Sequence, residues 1–444
     1  MSESSPVHAP APAVHDPVVA ATPFFYGWVM LPVAMAGQIA TSPGQTFGIS
    51  AFNPSFLTAL SLSDAELGGA YMLGTLAASP LISLVGPLMD RHGIRRVMTI
   101  VVLLFGGACL AASQVTGLFT LFLAFFALRL LGQGALTLLA SNTLAMWFHD
   151  RLGTAAGVMS LGMPAAFAVV PTMNLLLIHR FGWRWAYAIL GLAVWGVMLP
   201  LMLVFFRNRP EDIGQLPDGG VKPKSPSLPD RSDMSEMSPE PRLDVPDSLT
   251  LSEAMATRAY WILMVTNAAW ALVGTGIVFH IVSLFESRGL TAAETSLFFP
   301  CFAGSMAATL FLGGMLADRV RLNLLLLVSM LGTTVSVVYL NYVADAWAVA
   351  VYAVAQGAAQ GLFMVLMQTA WPRYFGRVHL GKIRGTVWTA TVAGSSVGPF
   401  IMGVVKDALH SYDLAIWLFA GLYGVLMIAA LFVTPPRREA ATSS

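Results

Sequence analysis

The chain carries one short motif twice, and this duplication limits the folds open to it more than any other feature. Residues 86–91 read Gly-Pro-Leu-Met-Asp-Arg, and residues 314–319, which lie 228 positions later, read Gly-Met-Leu-Ala-Asp-Arg. The same offset relates Ser63-x-x-Glu66 to Thr291-x-x-Glu294. Both of these patterns predict a capping box at the start of the helix that leads to the motif. Two signals that share one offset predict a duplicated unit with matching helices.

Composition places this duplicated unit in a membrane. Hydrophobic residues make up 56% of the chain and charged residues 11%, whereas soluble domains carry about 25% charged residues. A helix of about 20 apolar residues crosses the ~30 Å bilayer core. Twelve such stretches occur, and the first is expected to extend to about residue 60. They lie at residues 25–47, 66–89, 97–116, 118–142, 154–178, 183–206, 260–286, 293–316, 322–341, 346–370, 385–405 and 412–434. We therefore predict an all-α membrane protein with twelve transmembrane helices in two pseudo-symmetric six-helix halves, an arrangement typical of secondary transporters.

The positions of the basic residues predict the orientation. With both termini in the cytoplasm, nineteen of the 24 Lys and Arg residues fall in cytoplasmic segments, four fall in external loops, and Arg129 lies within a helix. This bias follows the positive-inside rule, so we expect both Asp-Arg motifs at the cytoplasmic face of a cell inner membrane. The net charge of +1 gives no indication of nucleic-acid binding.

Segments of low hydrophobicity predict the domain limits. Residues 1–24 are expected to form a disordered cytoplasmic tail, and residues 207–259, rich in Pro, Ser and acidic residues, a cytoplasmic linker. The two six-helix halves then cover residues 25–206 and 260–434, and residues 435–444 form a second cytoplasmic tail.

Several motifs resemble those of the major facilitator superfamily, over nearly all of residues 25–435. Residues 86–96 (GPLMDRHGIRR) match the family's loop signature between its second and third helices. The segment 129–134 (RLLGQG) resembles its fourth-helix motif, and the Gly and Pro residues of 157–171 resemble its fifth-helix hinge. The resemblance implies a twelve-helix transporter that works by alternating access around a site near the membrane midplane.

Three further segments resemble the branch of oxalate/formate antiporters and bacterial monocarboxylate porters. They are FYGW at 25–28, RNRPEDIGQLPDG at 207–219 and RYFGRVHLGKIRG at 373–385. The branch implies a small organic anion as substrate. Its carriers commonly present a cation from helix eight or eleven, but residues 293–316 and 385–405 contain no Lys or Arg. This departure disfavours small dicarboxylates, which require two positive partners.

The repeated motif contains the candidate gating residues. Asp90 and Arg91, and Asp318 and Arg319 in the second copy, place an acid and a base together at a helix end. Such groups can pair with a facing helix in one state and separate in the other. The alternative is that these charges only mark the membrane edge.

Arg129 is the candidate for anion binding. Insertion scales assign about 2.5–3.5 kcal/mol to an Arg at the centre of a membrane helix, so its side chain is expected to face a cavity or a polar partner. It either binds the substrate or anchors neighbouring helices. An offset of 227 relates Arg129 to Gln356 and Gln133 to Gln360. Gln356 and Gln360 are four residues apart on one helix, so both are expected to face the central cavity.

Other polar residues lie at similar depth. Gln38 and Asn267 are candidate substrate contacts, with packing between helices as the alternative. His280 lies about 12 Å outward of the middle of its helix, where it is a candidate for a proton-linked outer gate or a structural side chain. The candidate hinge residues are Gly157, Gly162, Pro164, Gly394, Gly398 and Pro399.

The predicted function is secondary active transport of a small, monocarboxylate-like organic anion, with proton symport as an option. All 23 acidic residues fall in tails, loops or helix ends, which disfavours a proton-coupled carrier of cations. No nucleotide-binding loop, metal cluster or catalytic triad is recognised, so no cofactor and no enzymatic activity are expected, and a monomer suffices. The alternatives are an exporter of a neutral or amphipathic compound, and a membrane sensor that binds a ligand without transporting it.

Overall fold

The computed structural model describes residues 17–149, 151–219, 248–317, 320, 322–376 and 379–433, and the regular elements within these ranges are all helical. We number twelve helical units in chain order. The first half contains α1 (Gly27–Ala40, Ser42–Gly44, Thr46–Ser50 and Asn53–Leu60), α2 (Asp64–Ile82 and Val85–His92), α3 (Ile94–Ala112), α4 (Leu118–Leu128, Arg129–Leu136 and Thr137–Trp147), and α5 and α6, formed by Leu152–Ser160 and Gly162–Val204. The second half contains α7 (Arg258–Ser287), α8 (Ala292–Ser296 and Phe298–Ala317), α9 (Leu322–Leu340), α10 (Ala346–Phe375), α11 (Leu380–Leu409) and α12 (Asp413–Ala430).

Nine helices in the described residues are long and apolar enough to cross a membrane. Three local features account for the difference from twelve. The 51-residue run Thr154–Val204 bends at Gly182, whose φ of 78° only glycine adopts readily, so that it forms two units, α5 and α6. The apolar part of α9, Leu324–Leu340, is 17 residues long and therefore shorter than the other nine helices. The first unit, α1, is divided into short segments. The architecture is therefore consistent with the twelve-helix expectation.

The break in α1 has a clear cause. Pro43 and Gly44 form a 3-10 turn, and a Cβ on Gly44 would lie 2.3 Å from the backbone oxygen of Leu128 in α4. Only glycine allows the two backbones to approach this closely. The chain then continues to Leu60, as the sequence predicted.

Both predicted capping boxes are present. Ser63 accepts a hydrogen bond from the backbone of Glu66, whose carboxylate accepts one from the backbone of Ser63, and Thr291 and Glu294 make the same pair of bonds. The duplication seen in the sequence is therefore a duplication of local structure at the start of α2 and α8.

Each half packs around its own apolar core, and a few aromatic residues join the two. Phe279 of α7 lies 4.5 Å from the ring of Tyr71 of α2, and Phe167 of α5 lies 4.7 Å from the ring of Phe302 of α8. Large side chains such as Trp347, which is 77% exposed, lie on the outer surface, as expected of helices that face lipid.

The hydrogen bonds between described residues of the two halves all lie at one end of the helix bundle. Asn53 donates to the backbone oxygen of Phe279, and Asp407 of α11 accepts from the backbone nitrogens of Asp64 and Ala65 at 3.0 and 2.8 Å. We call this the Asp64 end, and the opposite end, where α2 terminates, the Asp90 end. The bundle is closed between its halves at the Asp64 end.

The predicted terminal tail and linker are described only in part. Pro17–Ala20 forms one helical turn, and Val18 and Val19 pack against the first core. The described ends of the linker contact separate halves: Asn208 accepts from the backbone nitrogen of Arg95, and the backbone of Leu249 donates to Phe375.

Candidate functional site

A central cavity of about 400 Å³ lies between the two halves. Its polar side chains include Gln133 of α4 and Gln360 of α10, which enter from opposite halves. Much of the remaining wall is apolar or aromatic, and none of the lining residues is charged. The lining consists of Gln45, Thr46, Phe47, Gln133, Met163, Phe167, Trp270, Ala271, Gly274, Thr275, Val278, Phe302, Met306, Gln360, Met364, Trp388, Thr391, Val392 and Ser395.

Two side cavities of about 290 Å³ adjoin the central one. The first is lined by α2, α4 and α11 and includes Arg129. The second is lined by α7, α10 and α11 and includes Asn267. Trp388 of α11 lines all three cavities and is 69% exposed, so it marks their junction. Sequence reasoning gave it no role, because a tryptophan on an apolar helix is usually interfacial.

Arg129 lies at the start of a π-helical stretch of α4, Arg129–Leu136. Its side chain is 4% exposed, its Nε donates to Thr75 Oγ1 at 3.1 Å, and its Nη1 lies 3.5 Å from the backbone oxygen of Gly44. The guanidinium carbon lies 4.9 Å from the ring centre of Tyr71. These contacts anchor α1, α2 and α4, but no described Asp or Glu forms an ion pair with Arg129. The side chain therefore combines an anchoring position with an uncompensated charge beside a cavity.

The two glutamines of α10 have different surroundings. Gln360 lines the central cavity, and its amide oxygen is buried without a hydrogen-bond partner among the described residues. Gln356 is 4% exposed and accepts a hydrogen bond from Ser336 of α9, within its own half. Only Gln360 therefore faces the cavity in this conformation. Gln133, which the repeat offset relates to Gln360, also lines the cavity and was not selected from the sequence.

Of the two remaining candidate substrate contacts, Asn267 lines a cavity and Gln38 does not. Asn267 lines a side cavity and donates to Thr391 Oγ1 of α11. Gln38 lies next to Gly162 of α5, lines none of the three cavities, and has a buried amide oxygen without a partner among the described residues.

His280 lies at the junction of the two halves, at the Asp64 end. It is fully buried, its Nε2 is 2.9 Å from the backbone oxygen of Pro399, and its Nδ1 is 3.4 Å from Asp64 Oδ1 of the first half. Tyr412 Oη donates to the same Asp64 oxygen at 2.6 Å. Burial, followed by the Asp64 charge, raises the pKa of Tyr412, which keeps it a donor. We call these residues, with Asp407, the Asp64 cluster.

The sequence anticipated the position of His280 but not its partners. Asp64 follows the capping serine and Asp407 is at the end of α11, so both were assigned to helix ends. Their contacts cross from one half to the other, over more than 200 residues of sequence, and no local pattern encodes such a pairing.

The candidate gating residues lie at the Asp90 end. Asp90 and Arg91 are exposed in the last turn of Val85–His92, and neither side chain has a hydrogen bond or ion pair with another described residue. Asp318 and Arg319, the second pair, lie outside the described residues. The first pair is thus free to engage a partner in a different conformation.

The candidate hinge residues behave differently in the two halves. In α5 the helix is interrupted at Leu161, between Gly157 and the pair Gly162 and Pro164. In α11 the helix is continuous through Gly394, Gly398 and Pro399. A Cβ at Gly394 or Gly398 would lie 2.3 or 2.0 Å from backbone oxygens of α7, in the same half.

Close packing of backbones between the two halves occurs at other glycines. A Cβ on Gly68 of α2 would lie 2.7 Å from the backbone oxygen of Pro399, and one on Gly403 of α11 would lie 2.3 Å from that of Asp64. Within the described residues, no three His, Cys, Asp or Glu side chains converge as metal ligands.

Comparisons with known proteins identify the family and agree with the fold. A family model described as the Major Facilitator Superfamily matches residues 24–319 and 262–444. A probable sulfoacetate transporter of Cupriavidus necator is 24% identical over 87% of this chain and 89% of its own length. Monocarboxylate transporter 3 of Gallus gallus is 26% identical over 44% of this chain and 36% of its own length. The crystal structure of a bacterial homologue of the human lysosomal transporter Spinster, in an inward-facing, unoccupied conformation, superposes with a TM-score of 0.64 at 15% identity, over 92% of this chain and 95% of that one.

Proposed function

The chain belongs to the Major Facilitator Superfamily, and from this premise we propose that it moves a small organic anion across the cytoplasmic membrane by alternating access. It is a multi-pass membrane protein of a transporter family, and its relatives include proteins named for sulfoacetate and monocarboxylate transport. We assign the central cavity, with the adjoining Arg129 cavity, as the substrate path.

Arg129 carries the proposal for an anion. A buried charge costs several kcal/mol when it lacks a partner of opposite charge. The hydrogen bonds to Thr75 and Gly44, with the Tyr71 ring, compensate part of this cost. An anion about 8 Å away would gain about 2 kcal/mol at an effective dielectric constant of about 20. The cavity therefore favours an anion over a cation, although its lining has no charge.

The Asp64 end is the outer end in the proposed topology, with both termini in the cytoplasm. In this conformation the central cavity is separated from the outside by the Asp64 cluster. The exposed Asp90 and Arg91 are proposed to pair with the second half when the cytoplasmic end closes. When the transporter changes state, the contacts of the Asp64 cluster break and those of Asp90 and Arg91 form, or the reverse.

His280 is the proposed site of proton coupling. A protonated imidazole donates from both nitrogens, to Pro399 and to Asp64, whereas a neutral imidazole donates from only one. Protonation from the outside therefore stabilises the closed outer end and favours release of the substrate toward the cytoplasm. Asp407, Tyr412 and Lys406 are the other titratable groups near this site.

A second candidate function is export of a neutral or amphipathic compound. The observation in its favour is the apolar wall of the central cavity, with five aromatic and methionine side chains from α5, α8 and α10. In that case Arg129 acts only as an anchor.

Uptake into proteoliposomes tests the two candidates. We expect a labelled monocarboxylate or sulfonate to enter, and an inward proton gradient to stimulate its entry. A neutral analogue of the same size serves as the comparison. If a preparation transports the neutral compound and none of the anions, the anion proposal is wrong and the second candidate replaces it.

A further inference from the structure

Two glutamines related by the internal repeat meet at the central cavity. Gln133 of α4 and Gln360 of α10 are 227 positions apart, and each is followed by a glycine. They enter the same cavity from the first and second halves, respectively. A group bound between them contacts both moving bodies of the transporter at once.

Both glutamines have unmet hydrogen-bonding capacity. The amide oxygens of Gln133 and Gln360 and the indole Nε1 of Trp270 are buried without hydrogen-bond partners among the described residues, and all three residues line the cavity. Buried polar groups are normally paired. Three unpaired groups around one cavity mark it as a place where a ligand can supply hydrogen-bond partners. Each primary amide also carries two N–H donors, and rotation of the side chain turns these donors toward an acceptor in the cavity.

The apolar part of the cavity lining indicates the shape and polarity of the rest of this ligand. Phe47, Phe167 and Phe302 contribute rings on one side, and Met163 and Met306 contribute flexible thioethers. Methionine adapts to ligand shape, and aromatic rings stack on flat groups. A volume of about 400 Å³ lies within the range of about 300–1,000 Å³ typical of sites for drug-sized ligands.

The charges around the site favour a ligand with one negative charge. Arg129 is four residues before Gln133 and borders one adjoining cavity, whereas Arg384, which borders the other, donates to the backbone oxygen of Gln368. The central lining itself contains no charged residue, so a second carboxylate would lie on a wall of rings and thioethers. Such an unpaired charge is costly.

Building on the proposed function, we propose that Gln133 and Gln360 clamp the oxyanion head of a monoanion whose body is aromatic or bulky and apolar. Trp270 donates a third hydrogen bond, and the phenylalanine and methionine wall contacts the body. The head is a carboxylate or a sulfonate, because both present oxygens to N–H donors. We expect small dianions to bind weakly.

A ligand series on the purified full-length protein in nanodiscs tests this directly, with tryptophan fluorescence or thermal stabilisation as the readout. Phenylacetate and benzenesulfonate distinguish the two heads, acetate and succinate lack the body, and phenylacetamide lacks the charge. We expect at least one aromatic monoanion to bind about tenfold or more tightly than acetate, succinate and phenylacetamide, in line with the apolar area buried.

Variants test the clamp itself. Gln133→Leu and Gln360→Leu should each weaken binding of the aromatic anion by about tenfold to a hundredfold, since each removes a hydrogen bond to a charged group. Gln368→Leu is the matched control: Gln368 lies two turns further along α10 and lines only a side cavity. If a variant fails to fold, the ligand series on the unchanged protein still decides the body and the charge.

The outcomes separate the two levels of the proposal. If acetate or succinate binds as tightly as the aromatic anions, or both leucine variants bind like the unchanged protein, the clamp and its substrate class are wrong while anion transport stands. If phenylacetamide binds and no anion does, the proposed function itself is wrong.

Discussion

Replacing Asp64 by asparagine should release the closed Asp64 end. The Asp64 side chain is 13% exposed, accepts a hydrogen bond from Tyr412 at 2.6 Å, and lies 3.4 Å from His280 Nδ1. Hydrogen bonds to charged groups contribute about 1.5–3 kcal/mol. With His280 protonated, the pair at this distance has a gross attraction of about 5 kcal/mol at an effective dielectric constant of about 20, of which burial removes a large part.

These values give a net loss of about 2–3 kcal/mol, because asparagine keeps one hydrogen bond and loses the charge. A change of 1.4 kcal/mol is a factor of ten in an equilibrium constant, so the ratio of closed to open states of the Asp64 end should fall by about 30- to 150-fold. The backbone bonds from Asp64 and Ala65 to Asp407 remain, so the protein should still fold.

Distances between spin labels measure this ratio. Labels at residues 58 and 409 report on the Asp64 end, and labels at residues 88 and 382 on the Asp90 end, since all four positions are exposed. Cys109 and Cys301 are first replaced to remove background labelling. We expect Asp64→Asn to lengthen the first distance and shorten the second.

Asp413→Asn is the matched control. Asp413 forms an ion pair with Arg288 at 3.1 Å, at the same end of the bundle but within the second half. Its loss should leave both distance distributions unchanged. Equal shifts in the two variants, or none in Asp64→Asn, would refute the assignment of the Asp64 cluster as a lock between halves.

Four further predictions concern Arg129, His280, Tyr412 and Gly403. Arg129→Gln, which makes the two halves alike at this position, should raise KM for an anion about tenfold or more in uptake assays without loss of folding, and an unchanged KM would leave Arg129 as an anchor only. Lowering the pH on the side of the Asp64 end should increase the closed fraction at that end, and His280→Gln should remove this dependence. Burial raises the pKa of Tyr412, so its hydrogen bond should persist above pH ~10, where an exposed tyrosine ionises. Gly403→Val should also open the Asp64 end, because a Cβ at residue 403 would lie 2.3 Å from the backbone oxygen of Asp64. Gly421→Val should not, because no atom lies within 4 Å of a Cβ at that position.

Local patterns predicted local structure well. The capping boxes at Ser63 and Thr291 depend on residues three positions apart, and the apolar stretches depend on composition alone. The break in α1 and the π-helical stretch after Arg129 were not predicted, because both depend on the approach of α1 to α4. The π-helical stretch also changes the angle between Arg129 and Gln133, which a 3.6-residue period cannot supply.

The candidate site was predicted in part for the same reason. Gln356 and Gln360 differ by only about 40° around an ideal helix, so the sequence could not decide that one bonds Ser336 and the other enters the cavity. The repeat offset relates Gln133 to Gln360, but the buried charge of Arg129 made Arg129 the candidate substrate contact in the first half. A search for polar residues shared by both repeats would have found the glutamine pair.

The repeat also explains why two equivalent contacts at the Asp64 end differ in chemistry. An offset of 227 relates Phe52 and Asn53 of α1 to Phe279 and His280 of α7, and both polar residues lie where the halves meet. Asn53 donates to the backbone of Phe279, a bond that does not depend on pH. His280 occupies the equivalent position with a titratable ring opposite Asp64, whose own counterpart at an offset of 228 is Ala292. Divergence after duplication has thus left, at these two equivalent positions, one contact without a titratable side chain and one with an imidazole, and this is the asymmetry on which the proposed proton-coupled gate depends.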